Sequence, residues 1–286
     1  MAAPDSALLS INTATLREQW TLPQIIDGCA RHGIRGIAPW RDQVARTGLD
    51  ESARRIRDAG LKVSGYVRGG MFTALDAAGL RAALDDNRRA VDEALAIGAP
   101  CLVLVAGGLP KDASGRPAAK DLGQARAMVR DGIGQLLDHS RAAGVPLAIE
   151  PLHPMYAADR ACVNTLAQAL DLCEALAPTE PHALGVAVDV YHVWWDPELE
   201  RQIARAGTAR RLLAYHICDW LVPTTDLLND RGMMGDGVID LPRIRGWMDA
   251  AGYRGQHEVE IFSNRWWMTD PDVVLATCKA RHALAS

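Results

Sequence analysis

Short apolar runs of strand length alternate with longer amphipathic segments along the whole chain. The runs are Leu8–Asn12, Gly36–Ala38, Lys62–Val67, Cys101–Val105, Pro146–Glu150, Gly185–Asp189, Leu212–His216 and Glu258–Ile261. Between and after them, apolar residues recur every three or four positions. That spacing predicts helices over Leu22–Arg31, Asp50–Asp58, Leu80–Ala96, Gln124–Ala142, Leu166–Ala175, Pro197–Arg205, Leu241–Ala250 and Pro271–His282. Gly33, Gly60, Gly98, Gly144 and Gly252 each close a helical segment just before a strand, where a left-handed C-cap favours glycine. Repeated β/α units with nearly continuous apolar strands predict a parallel sheet covered by helices. Closed on itself, such an α/β sheet is a (β/α)8 TIM barrel. An open doubly wound sheet fits less well, because the strands are evenly spaced and no GxGxxG follows the first. No linker divides the chain, so residues 1–286 are read as a single barrel domain. The stretches GGLPKDASGRPAAKD and LVPTTDLLNDRGMMGDG follow strands and are read as mouth loops.

Composition narrows the partners. The net charge is -4 with no block of Lys or Arg, which argues against nucleic acid, since phosphate binding needs a concentrated positive face. The start, MAAPDSALLS, has neither a basic nor a long apolar region, so no signal peptide is expected. The most apolar stretch, Cys101–Ala106, is too short to cross a bilayer, so no membrane partner is expected. The six cysteines are scattered without metal-type pairing and read as buried thiols in a reducing cytoplasm.

In a barrel, residues at the C-terminal ends of the strands face the mouth where substrates bind. The segments LAIEPLHP, VAVDVYHVWW, LLAYHICDW and HEVEIF place Glu150, Asp189, His216 and Glu260 there. A charge closing an apolar run is costly unless it is paired or bound. Three carboxylates and one imidazole suit one divalent metal ion, Mn2+ first, with Mg2+, Co2+ or Zn2+ also fitting. Asp219 and His153, three positions beyond strand-end residues, are read as groups that orient the ligands. Trp40, Trp195 and Trp267 fall on the mouth side and suit the apolar wall of a small-molecule pocket, as for a carbohydrate. Arg41 and Arg68 also lie just past strands, and solvated loop arginines are the plainer reading.

In these residues the chain resembles the xylose isomerase-like superfamily of sugar isomerases and epimerases, which includes D-tagatose 3-epimerase-type and inosose dehydratase-type enzymes. The likeness runs over nearly the whole chain and is most specific in EPLxP, DxxH, HxxD, GDGVIDLPRI and AGYRGQHEVEIF. It implies that Glu150 and Glu260 do acid/base work as well as binding metal, and that His192 contacts a substrate oxygen. His153 and Arg231 join it as substrate contacts. The epimerase branch has a glutamate where this chain has Tyr156 and an arginine where it has Val222, and Arg231 is the candidate replacement. The resemblance also implies a small carbohydrate substrate and admits a homo-oligomer.

The expected chemistry is proton abstraction next to the carbonyl of a sugar or keto-sugar, through a metal-stabilised enediolate. Its return decides between epimer and isomer. A leaving group at the β position turns the same step into a lyase or dehydratase acting on a keto-sugar, keto-glycoside or inosose. A non-catalytic sugar-binding barrel is a further alternative. DNA repair of the endonuclease IV type is disfavoured, since four of the 8 His lie away from the predicted mouth.

Overall fold

The computed structural model describes residues 5–284. The first four positions of MAAPDSALLS, and both ends of the 1–286 domain, lie outside the described residues. Parallel strands β1 (Leu9–Asn12), β2 (Gly36–Ala38), β3 (Lys62–Val63), β4 (Tyr66–Gly70), β5 (Leu102–Val105), β6 (Leu147–Glu150), β7 (Leu184–Asp189) and β8 (Leu212–Ile217) follow in chain order. A short antiparallel pair, β9 (Asp219–Trp220) and β10 (Arg231–Gly232), comes next, and β11 (His257–Val259) completes the sheet. The sheet order is β3-β2-β1-β11-β8-β7-β6-β5-β4. Its two ends are consecutive in the chain. The run expected as one strand over Lys62–Val67 is broken at Ser64–Gly65, its first half pairing with β2 and its second with β5. An isolated parallel bridge from Trp40, just past β2, to Val67 of β4 brings the two ends of the sheet together, so it closes into the TIM barrel.

The helices are α1 (Leu22–Arg31), α2 (Arg41–Thr47), α3 (Leu49–Asp58), α4 (Ala77–Ile97), α5 (Leu122–Ala143), α6 (Leu166–Leu176), α7 (Val190–Val193), α8 (Leu199–Thr208), α9 (Leu241–Ala250), α10 (Asn264–Trp267) and α11 (Pro271–Leu284). Side-chain caps explain several starts: Asp76, Asp121, Thr165 and Asp240 accept hydrogen bonds from the first-turn amides of α4, α5, α6 and α9. The five glycines expected as helix stops all have positive φ. Helix α2 was not expected, because its segment carries a single large aliphatic residue, Val44. It is held instead by ion pairs of Arg41 with Asp86 and Glu93 and of Asp42 with Arg17.

Strand alternation sorts the core into two layers. Leu102, Leu104, Leu147, Ile149, Val186 and Val188 pack outward in the large cluster shared with the helices. Val103, Ala148, Ala187 and Ala214 form a separate small cluster inside the barrel. Two positions beyond three of these inner alanines stand Glu150, Asp189 and His216, on the same inward face. Small residues below thus leave room for a buried polar cluster above. All six cysteines are buried free thiols. Among the described residues no helix is long and apolar enough to cross a membrane.

Candidate metal centre at the barrel mouth

Glu150 ends β6, Asp189 ends β7, His216 lies in β8 and Glu260 directly follows β11, on neighbouring strands. Register aligns them: Asp189 pairs with His216, His216 with Glu258, and the Glu260 amide donates to Ile217 O. Each of the four offers one ligand atom, these atoms lie within 4.8 Å of one another, and all four residues are buried. Together they could hold a metal ion.

The cluster's polar atoms are unevenly satisfied. Asp189 Oδ1 accepts from the Tyr191 amide, and Asp189 Oδ2 and Glu260 Oε2 both accept from Arg231 Nη1 at 3.0 Å. His216 Nδ1 lies 3.0 Å from Glu150 Oε1, yet both atoms are buried without a hydrogen-bond partner. Once the imidazole gives up its proton, these two atoms are electron-pair donors on one side of a carboxylate-rich cluster and fit a shared cation. Charge balance agrees. Within ion-pair distance, Glu150, Asp189, Glu258 and Glu260 meet the Arg231 guanidinium and the His216 imidazole, so four carboxylates share two cationic groups at contact. Burial, with repulsion from Glu150 and Asp189, pushes Glu260 up to about 8 against the opposing pull of Arg231 and His216. Burial also works to raise Asp189, but Arg231, His192 and His216 outweigh it and hold the group near about 2. His216 is pulled down by burial and raised more strongly by Glu258, Glu150 and Glu260, ending well above the usual imidazole value.

Arg231, on β10, and His192 are the two buried members of the expected substrate contacts. The Arg231 guanidinium lies over the ring of Tyr191 at 4.5 Å and that of Phe262 at 5.3 Å, and Nη2 is 3.2 Å from His192 Nε2. His192 Nδ1 faces the His153 amide at 3.2 Å. A neutral imidazole can accept at only one nitrogen, so one of these donors goes unanswered. Burial lowers His192 to about 3, which keeps it neutral at pH 7.

Glu150, Glu260, His192, Arg231 and Trp40 line one mouth pocket, together with Arg68, Tyr156, Arg160 and Phe262. His153 stacks on Trp220 beside it and is not in its wall. Trp195 and Trp267 donate to His192 O and Ala14 O and tie loops together. The Asp219 carboxylate accepts from the amides of Trp220, Gly235, Gly237 and Ile239 at 2.8–3.0 Å. Its bonds go to the GDGVID loop rather than to the four ligand residues.

Sequence reasoning passed over Asn12 and Glu258. Asn12 Nδ2 donates to Glu258 Oε1 at 2.7 Å and Glu260 Oε1 at 2.9 Å, while its Oδ1 accepts from Trp40 Nε1. Glu258 is 1% exposed, accepts from Ser64 Oγ, and brings Oε1 to 3.5 Å from His216 Nε2. The signal was present in HEVEIF, where two glutamates two positions apart share one strand face. Asn12, a polar residue ending the first apolar run, obeys the same rule that singled out Glu150.

A search of curated protein sequences finds no match to the chain. Among solved structures, a protein from Sinorhizobium meliloti 1021 is 61% identical, with 97% of this chain and 98% of that one covered and a TM-score of 0.92. The IolI protein with a bound zinc atom is 19% identical, with 97% of each chain covered and a TM-score of 0.79. D-psicose 3-epimerase, determined in the presence of D-fructose, is 17% identical, with 96% of each chain covered and a TM-score of 0.76. At such identities the last two show a shared fold. The family model described as xylose isomerase-like TIM barrel matches residues 26–280, and the chain belongs to that family.

Proposed function

We propose that the protein is a divalent-metal-dependent isomerase or epimerase of a sugar or keto-sugar, working by proton abstraction next to a carbonyl. The observation that carries this reading is the convergence of Glu150, Asp189, His216 and Glu260 within 4.8 Å at the mouth, where Glu150 Oε1 and both His216 ring nitrogens lack hydrogen-bond partners. Mn2+ is the ion proposed first. The zinc in the IolI structure and the sugar epimerases among the fold neighbours support the reading. Bound by these four residues, a divalent cation supplies Lewis-acid stabilisation of negative charge developing on a substrate oxygen.

The chain's own groups do the rest. Glu150 and Glu260 both reach the pocket wall and are assigned proton removal and return. Asn12 holds Glu260 Oε1 and Arg231 holds Glu260 Oε2, which fixes that carboxylate in place for transfer. His192 and Arg231 present the polar groups nearest to it for substrate oxygens, and Trp40 and Phe262 give an apolar wall. The test is a screen of free and derivatised ketoses in D2O with Mn2+, following C–H exchange by NMR. Exchange is expected, to be lost on chelation and regained with metal. Glu150→Gln and Glu260→Gln are each expected to cut it about a hundredfold or more while leaving the fold intact. Near-normal exchange in both variants would remove the assignment.

A further inference from the structure

The mouth pocket contains two arginines whose guanidinium groups are in no ion pair among the described residues. Around the same rim, Arg17 pairs with Asp42, Arg41 with Asp86 and Glu93, and Arg231 with Asp189 and Glu260. Arg68 and Arg160 line the pocket with Glu150 and Glu260, and among the described residues neither side chain makes a hydrogen bond or an ion pair. Arg160 rests over the Tyr156 ring at 5.6 Å. Arg68 is largely enclosed, and burial, then the charges of Arg160 and Arg41, hold it below the usual arginine value against the weaker opposing pull of Glu150 and Asp86. Enclosing a cation beside another cation is unfavourable unless something repays it.

Both side chains are aimed by deliberate backbone features. Val67 pairs with Val103 and Gly69 with Leu104, so Arg68 is the extra residue of a bulge, a device that redirects a side chain. The bulge is pinned by the buried Asn87 side chain, which accepts from Gly70 N and donates to Gly70 O. Position 70 has to be glycine, because its φ is +107 and a Cβ would sit 1.9 Å from Val105 O. Arg160 lies on a loop docked against the chain after β5, where Leu109 N donates to Ala158 O and Cys162 N to Gly107 O. Flexible surface arginines need no such framework.

We infer that Arg68 and Arg160 form an anion subsite, so that the substrate is a keto-sugar carrying a carboxylate or a phosphate. Planar guanidinium groups match both anions in geometry and charge. The inference deepens the proposed function and rests on its placing of the reacting carbon near Glu150 and Glu260. The anion then binds in the same pocket as the carboxylates, and its charge sets the orientation of the sugar beside them.

The test uses the Mn2+-loaded protein and three probes: D-fructose, D-fructose 6-phosphate and 5-keto-D-gluconate. Binding is measured by calorimetry at low and high salt, and C–H exchange by NMR in D2O. At least one anionic probe is expected to bind about tenfold or more tightly than D-fructose, with the advantage falling as salt rises. Preference for the phosphate or for the carboxylate identifies the source of the anion. Arg68→Gln and Arg160→Gln are each expected to erase most of the advantage. Arg160→Gln, on a loop, serves alone should the buried Arg68→Gln fail to fold. Equal binding of neutral and anionic probes, no binding of either anion, or an advantage kept in the variants overturns the inference. The two readings fail separately. An anion preference without exchange of any probe sinks the catalytic reading and leaves the subsite, whereas equal exchange of neutral and anionic probes does the reverse.

Discussion

Glu258 sits beneath the candidate ligands with both carboxylate oxygens engaged, Oε1 by Asn12 and Oε2 by Ser64. Its third neighbour is His216 Nε2, at 3.5 Å from Oε1. With Nδ1 facing Glu150, the imidazole has one nitrogen toward the candidate ligands and one toward a buried carboxylate. Nε2 makes no hydrogen bond at this separation, but the pairing is that in which an outer carboxylate orients a metal-binding histidine and raises its basicity. Glu258→Gln tests the charge alone, since a glutamine can accept from Asn12 and donate to Ser64 in the same space. Calorimetry with Mn2+ is expected to show affinity reduced about tenfold to a hundredfold. An unchanged Kd would assign Glu258 to packing only. Glu150, Asp189 and His216 were legible because each closes an apolar run as a polar residue, and Glu260 because it lies near the mouth end of the last run. Glu258 was not, because it opens that run at the end away from the mouth, and its partners Asn12 and Ser64 lie 246 and 194 positions away.

At the scale of elements, the loop between β9 and α9 determines where Arg231 stands. Glycines 235 and 237 let that loop fold back so that three of its amides reach the Asp219 carboxylate, itself fully buried. Gly232 of β10 pairs with Asp219 of β9, so Arg231 is held one residue away from this anchor. A buried carboxylate bonded only to amides stabilises through charge-assisted hydrogen bonds, and its removal strands several donors at once. Asp219→Ala is expected to destabilise the protein by about 3 kcal/mol or more. It is also expected to raise amide hydrogen exchange across residues 231–239, followed by mass spectrometry. Normal protection there would show that the loop is held by other contacts. The sequence shows GDGVID as a family motif and Asp219 as a polar residue near a strand end. It does not show which way the carboxylate turns, because that depends on a loop returning 16 to 20 residues later. The break of the third barrel strand at Ser64–Gly65 was hidden in a similar way. Apolar pattern runs on through the interruption, and only ring closure, with one edge pairing to β2 and the other to β5, demands it.

Across the whole molecule, ring closure at the far end depends on β11 and on α11, which packs over it. The barrel, its strand order and most helices followed from alternation, since each β/α unit repeats one local solution to burying a strand on both faces. What alternation could not supply is the histidine pair that joins those last elements. His257 Nδ1 and His282 Nε2 lie 3.1 Å apart, with the residues 4% and 2% exposed. Burial lowers both to about 4, with Arg245 acting in the same direction on each and Asp249 and Asp5 opposing it at His257 and His282 respectively. A histidine whose folded value lies below its unfolded value of about 6.5 is neutral in both states at higher pH and costs nothing there. As pH falls from about 6.5 toward 4, the unfolded chain takes up protons that the folded pair refuses, and stability declines. Each histidine then contributes a loss of about 2 kcal/mol by pH 4.5. Urea unfolding at pH 7.5, 6.5, 5.5 and 4.5 is expected to show that decline, and His282→Gln to flatten it by a comparable amount. Identical slopes in the two proteins would mean that acid sensitivity arises elsewhere, in the carboxylates of the mouth, and that the seam between β11 and α11 is indifferent to protonation.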